Sequence, residues 1–180
     1  MAGVVSRLHW GAGPVTAAGW IASDRDDHGQ DHVGDIRNGL PFADSTFDYA
    51  VSHHALQMLA WPELVPALAE LHRVTRPGGW LRLSVPDLLA AVYAYEIGDP
   101  DHFQIDDANA KTLDGKLCLY VSQAGATRSV FTDLWLEELC VNAGWVTPTR
   151  AGFAVTTSPW PEITSLDGRP AESIFVEAVA

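Results

Sequence analysis

Gly11 and Gly13 close a strand-like run, Val4 to Trp10, and carboxylates stand at the ends of the next two strand-like segments. Asp24 follows Trp20–Ser23, and Asp35 follows His32–Gly34. Glycines at such a turn let the backbone approach a ligand closely, because no Cβ intervenes. One carboxylate there can accept both hydroxyl protons of a ribose, and the next lies within reach of an adenine amino group. A lone G-x-G is a weak signal. Acids closing the two following strands turn it toward a nucleoside-like ligand. No third glycine completes G-x-G-x-x-G, which argues against a nicotinamide dinucleotide. Beyond the fourth apolar segment stand His53 and His54. Histidine titrates near neutral pH, so either could take a proton from an acceptor hydroxyl or amine. Adjacent residues at a strand end point opposite ways, which predicts that at most one faces a cleft.

The run from Asp24 to His32 also invites a metal reading, since Asp24, Asp26 and Gly29 fall at EF-hand-like positions one, three and six. Position five is His28, however, and position twelve is Asp35 rather than the bidentate Glu such loops use. A solvated acidic loop is the better reading, and no metal is expected. Trp61 and Trp160 are candidates to wall a substrate pocket.

These side chains need a frame. Val4–Trp10, Trp20–Ser23, His32–Gly34 and Phe47–Ser52 read as near-continuous apolar strands of a parallel sheet. Only ten residues separate Gly13 from Asp24, too few for a full crossover helix. A single turn around Val15 to Ala18 is expected instead. A helix begins at Pro62, carries Leu64, Val65, Leu68, Leu71 and Val74 at helical spacing, and ends at Arg76-Pro77-Gly78-Gly79. Trp80–Val85 returns to the sheet, and Pro86-Asp87 opens a helix to about Tyr95. The polar stretch Gly98 to Gly115 reads as a loop, and 98–130 as a lid or substrate-loop region. Thr132-Asp133 caps a helix from Leu134 to Ala143, and Trp145–Thr149 and Ser173–Val179 read as the last strands. In an open parallel sheet, ligands bind beyond the carboxyl ends of the strands, where these chemical groups fall.

The whole 180-residue chain reads as one α/β domain, long enough to bury a core. With 47% hydrophobic and 19% charged residues, it is neither disordered nor fibrous. The net charge of -12, with 11 basic residues scattered, disfavours nucleic acid as a partner. No apolar run approaches the ~20 residues of a membrane span. Met1–Val5 does not read as a signal peptide, so the cytoplasm is the expected location. Cys118 and Cys140 form no C-x-x-C pair and read as buried small hydrophobes.

The segments Leu8-His9-Trp10-Gly11-Ala12-Gly13 and Gly19-Trp20-Ile21-Ala22-Ser23-Asp24 resemble the opening of small class I S-adenosylmethionine-dependent methyltransferases. The likeness is to the type 11 kind often encoded among polysaccharide-synthesis enzymes. Gly34-Asp35-Ile36, Leu40-Pro41-Phe42, Phe47–Ser52 and Glu70–Gly79 are similar to further segments of that group, in the same order. So are Ser165–Pro170 and Ser173–Glu177. The resemblance implies a Rossmann-like, seven-stranded, mostly parallel sheet with helices on both faces, an abbreviated N-terminal part and a final antiparallel hairpin. It implies S-adenosyl-L-methionine as cofactor. Gly11, Ala12 and Gly13 would meet its methionine part, Asp24 its ribose, and Asp35 and Ile36 its adenine. Ser52 and His53 would line the cleft beside the sulfonium, with His53 and His54 the candidate catalytic residues. The expected activity is O-methyl transfer to a small molecule or glycan. The segment His53–Leu59 lacks the Leu-Glu-His run common in that group. The second expectation is therefore a methyltransferase-like accessory or assembly protein without activity. Oligomeric state has no signature in the sequence.

Overall fold

The computed structural model describes residues 5–15 and 17–180. Its seven-stranded sheet runs β3-β2-β1-β4-β5-β7-β6. The strands are β1 (Arg7–Trp10), β2 (Ile21–Asp24), β3 (His32–Val33), β4 (Phe47–His53), β5 (Thr75–Pro86), β6 (Val146–Ala151) and β7 (Ser173–Val179). The five that come first in the chain pair in parallel, and β7 pairs antiparallel with both β5 and β6. This is the expected sheet, including its final antiparallel pair. Strand order reverses between β1 and β4, so the crevice at their carboxyl ends is the switch point where ligands bind such sheets.

Helix α1 (Trp61–Val74) starts where Pro62 tolerates a missing N–H donor. The Glu63 side chain accepts the Ala60 N–H at 2.7 Å. Its buried stripe of Leu64, Leu68, Leu71 and Val74 joins Leu8, Trp10 and Ala50 of the sheet in the main core. The Arg76–Gly79 turn does not end the element cleanly. Thr75 already pairs with Phe47, and the four residues bulge before Trp80 meets Tyr49. Asp87 caps α2 (Leu88–Glu96), Thr112 caps α3 (Leu113–Ser122) and Thr132 caps α4 (Asp133–Asn142). Segment 98–130 thus contains a helix and a short 3-10 turn, Asp101–Phe103, pinned by the buried Phe103. Cys140 is buried as expected, but Cys118 is exposed on α3. The sequence reading of Cys118 as a core residue is corrected: no element packs over that side of the helix closely enough to bury it.

Between β1 and β2 the described residues form tight turns and no helix. The Val15 N–H donates to the Ala12 carbonyl, and the Trp20 N–H to the Ala17 carbonyl. Val4 of the expected first strand and Thr16 of the expected turn lie outside the described residues. With the helix missing, something else must cover that sheet face. Because side chains alternate along a strand, Tyr49 and Val51 of β4 face away from the main core. They form a second cluster with Trp20 and Ile163. Ile163 belongs to a 3-10 turn, Pro161–Thr164, in the long connection between β6 and β7. That connection does the work of the absent helix.

A buried charge cluster fixes it there. Arg82 of β5, fully buried, donates to Asp167 (2.7 and 2.5 Å) and to Glu177 (2.7 Å). It also donates to the carbonyls of Gly152 and Val155. Removing one partner of such a cluster strands unpaired charge in the interior. Arg82→Met should lower unfolding free energy by about 3–5 kcal/mol, read as a drop in urea midpoint. A midpoint within error of the parent would show that the cluster does not anchor the connection.

Candidate functional site

At the carboxyl ends of β1, β2 and β4 lies a cavity of about 690 Å³, a size suited to a nucleoside-containing cofactor. Gly11, Ala12, Gly13, Asp24, Asp35 and Ile36 all line it. Gly11 has a left-handed backbone (φ +70°), and a Cβ there would lie 2.1 Å from the Ala55 Cβ. Only glycine fits this close approach. The turn does not leave its amides free, contrary to the simplest reading of G-x-G. Gly11 and Ala12 N–H both donate to the Ser23 carbonyl, and Gly13 N–H donates to Asp24 Oδ2 at 2.7 Å. The turn therefore presents bare Cα surface and carbonyl oxygens to the cavity.

Asp24 also accepts the Asp26 N–H at Oδ1. Each carboxylate oxygen keeps a further lone pair, so two ligand hydroxyls can still be accepted. Asp35 caps the 3-10 turn Ile36–Asn38 and holds Arg37 in a side-chain pair. That pair keeps the Asp35 carboxyl below its ordinary range. The donor atoms of Asp24, Asp26 and His28 lie within 4.8 Å of one another. Asp24 accepts from the amides of Gly13 and Asp26, and Asp26 pairs with Arg25.

Ser52 is corrected. It is buried and does not line the cavity; it lies under the glycine turn, its Oγ 3.8 Å from where a Gly11 Cβ would stand. His53 and His54 both line the cavity, against the expectation that only one could. The alternation argument fails because β4 ends at His53 and His54 turns into a left-handed conformation (φ 50°). His53 Nδ1 bonds Ser84 Oγ at 2.8 Å, and its Nε2 points toward Asp167, 3.9 Å away. His54 Nε2 bonds Ser173 Oγ at 2.7 Å, and its Nδ1 is buried without a partner among the described residues. Trp61 is exposed and Trp160 packs on Tyr49, so neither walls the cavity. Both expectations of a tryptophan wall are withdrawn: their indoles meet solvent and core instead.

Several lining residues escaped the sequence reading. His9 sits on the cavity-facing side of β1, with its ring 5.9 Å from that of His53. Leu166, Gly168 and Arg169 reach the cavity from the β6–β7 connection, beside Arg128. The Ser165–Pro170 resemblance flagged that segment, but not its place beside residues more than a hundred positions earlier. His54, Met58 and Arg169 also border a second cavity of about 710 Å³, which includes Tyr120 and Glu172.

Residues 16–83 match a family model described as a methyltransferase domain. Over 58 residues the chain is 50% identical to an uncharacterized methyltransferase of Schizosaccharomyces pombe, covering 32% of this chain and 20% of that protein. Over 66 residues it is 46% identical to a malonyl-[acyl-carrier protein] O-methyltransferase of Pectobacterium atrosepticum, covering 35% and 24%. The matches thus span at most a quarter of either relative's length. The fold is similar to that of a SAM-dependent methyltransferase from Archaeoglobus fulgidus (TM-score 0.62, 10% identity, 98% of this chain and 86% of that one). The family match over residues 16–83 and the two sequence relatives support the methyltransferase resemblance read in the sequence, and the solved structure shows the same fold. No helix among the described residues is long and apolar enough to cross a membrane.

Burial holds the imidazoles of His9, His53 and His54 well below their ordinary range, to about 4 in each case. In the unfolded chain they protonate near pH 6.5. Between about pH 6.5 and 4 the unfolded state binds more protons, so stability falls as pH drops through that window. The urea midpoint should be lower at pH 5 than at pH 7, and His54→Asn should reduce the difference. An equal midpoint at both pH values would contradict the neutral, buried assignment.

Proposed function

We propose that the chain transfers the methyl group of S-adenosylmethionine to a hydroxyl of a small molecule or glycan. The observation that carries this reading is a pair of neighbouring cavities at the switch point of the sheet that share His54, Met58 and Arg169 in their walls. The first holds the glycine turn, Asp24 and Asp35; the second opens beside it past His54 and Arg169. Gly11 and Gly13 would meet the methionine part, Asp24 the ribose, and Asp35 and Ile36 the adenine. The bound cofactor supplies an electrophilic methyl group. The protein's own part is to align a nucleophile with it and to manage one proton. O-methylation fits the activity for which the Pectobacterium atrosepticum relative is named, and the match covers about a quarter of that protein.

S-adenosylhomocysteine should raise the melting temperature of the protein by ligand linkage. Asp24→Ala should remove most of that rise, because charge-assisted hydrogen bonds to the ribose are lost. An unchanged wild-type melting curve at saturating S-adenosylhomocysteine rules the cofactor reading out.

His54 is the imidazole shared by both cavities, which makes it the better candidate of the two to accept the acceptor's proton. His53 has one nitrogen on Ser84 and the other turned inward to Asp167, and suits a positioning role. Once an acceptor is in hand, His54→Ala should lower kcat by ~100-fold and leave S-adenosylhomocysteine affinity nearly unchanged. With the imidazole neutral above about pH 5, the rate should be flat from pH 6 to 8. Full turnover in His54→Ala and His53→Ala alike would leave alignment alone as the source of catalysis. The accessory-protein reading has one observation in its favour: every ring nitrogen of these two residues is either bonded or buried. Cofactor binding without transfer to any acceptor is its signature.

A further inference from the structure

We propose that the second cavity is a receptor for an uncharged, hydroxyl-rich ring, with Gln57, Gln104 and Gln123 as its specificity-determining residues. The proposal rests on the methyl-transfer reading only in taking this cavity as the acceptor side.

Charge comes first. The two ionised side chains at its wall cancel: Arg169 donates to Glu172 at 2.9 Å, and the other Glu172 oxygen accepts the Tyr120 hydroxyl at 3.3 Å. A phosphate, carboxylate or ammonium entering here would give up hydration without meeting a spare counter-charge. Apart from the neutral imidazole of His54, the remaining polar lining residues are carboxamides, Gln57, Gln104, Asn109 and Gln123. An amide offers both a donor and an acceptor, which is what a hydroxyl group also offers. Phe103, Ile105 and Leu119 supply an apolar side for the C–H face of a ring.

Gln57 gives the second observation. It is 1% exposed, its Nε2 donates to the His54 carbonyl at 2.7 Å, and its Oε1 is buried with no donor among the described residues. A buried acceptor left unpaired is costly and calls for an explanation. A ligand hydroxyl in this cavity would supply the missing donor.

Backbone conformation gives the third. Seven non-glycine residues among those described have positive φ, and four of them line this one cavity: His54 (50°), Gln104 (50°), Gln123 (44°) and Arg169 (55°). Such conformations are uncommon for residues with a Cβ, and they persist where the surroundings impose them, often at ligand sites. Gln104 and Gln123 each terminate a helical turn. Glycine is the residue that position favours. Glutamine at these two positions costs local stability relative to glycine, and both residues stand at the cavity wall.

The test uses three probes that share one ring and differ in charge: methyl glucoside, glucosamine and glucose 6-phosphate. Saturation-transfer NMR would compare them at equal concentration, with and without S-adenosylhomocysteine. The neutral glucoside should give the strongest signal. Gln57→Leu, and separately the double variant Gln104→Gly with Gln123→Gly, should weaken it roughly fivefold or more, the scale of one lost hydrogen bond. The double variant should melt at or above the parent temperature, because glycine takes positive φ without strain. The proposal is overturned if either charged probe equals or exceeds the glucoside, if none of the three binds, or if the double variant keeps full signal. Failure of S-adenosylhomocysteine to bind would instead sink the cofactor reading, whatever the order of the probes.

Discussion

The buried guanidinium of Arg82 is the interaction on which the ligand-binding edge depends. It lies inside the sheet on β5, and its partners come from two directions in the chain. Glu177 is its neighbour across the β5–β7 ladder, in register with it. Asp167 and the carbonyls of Gly152 and Val155 belong to the β6–β7 connection. The carboxylates are themselves further bonded, Asp167 by the Ala154 N–H and Glu177 by the Thr157 N–H. A charge this deep is tolerated only when its hydrogen-bonding groups are matched. The matching requires a particular path for some twenty residues that carry little regular structure. That path lays Ile163 over Tyr49 and Val51, and it brings Leu166, Gly168 and Arg169 to the cofactor cavity.

The same constraint reaches the histidines. Asp167 spends its oxygens on Arg82 and Ala154, yet stands 3.9 Å from His53 Nε2. Ser84, two residues beyond Arg82 on the same strand, holds the opposite nitrogen. His53 is therefore oriented from both ends by residues that flank or contact Arg82. Its nearness to Asp167 favours the charged imidazolium, but burial outweighs that attraction and His9 opposes it. A neutral ring at this place avoids repelling the sulfonium that the cavity is proposed to receive.

Much of this was legible in the residues. Glycines at 11 and 13 and acids at 24 and 35 mark strand ends by local chemistry, and all four line one cavity. Caps at Asp87 and Thr132 are local signals too, whereas α3 carries a weak one, because Asp114, Gly115 and Lys116 make its first turn polar and poor in helix formers. What could not be read is non-local. Nothing in the spacing of Ser52 shows that the glycine turn will close over it, and nothing near Arg169 indicates a meeting with His54. The alternation rule misplaced His54 because it holds only while the strand continues; one residue past His53 the backbone turns left-handed.

The short β1–β2 connection and the long β6–β7 connection are two sides of one physical problem. Ten residues between Gly13 and Asp24 cannot supply a helix long enough to cover β1 and β4. An uncovered Trp20, Tyr49 and Val51 would expose a large apolar area, and burying it is worth roughly 1.5–3 kcal/mol per side chain. The cover arrives from the other end of the chain. A segment without regular secondary structure has unpaired backbone groups, so it needs fixed polar partners to lie on an apolar surface. Arg82 provides them. The cover then cannot be exchanged for any apolar loop, since its carbonyls and Asp167 must meet the guanidinium. Because the same residues border the cavity, fold stability and the shape of the ligand site are coupled through one side chain.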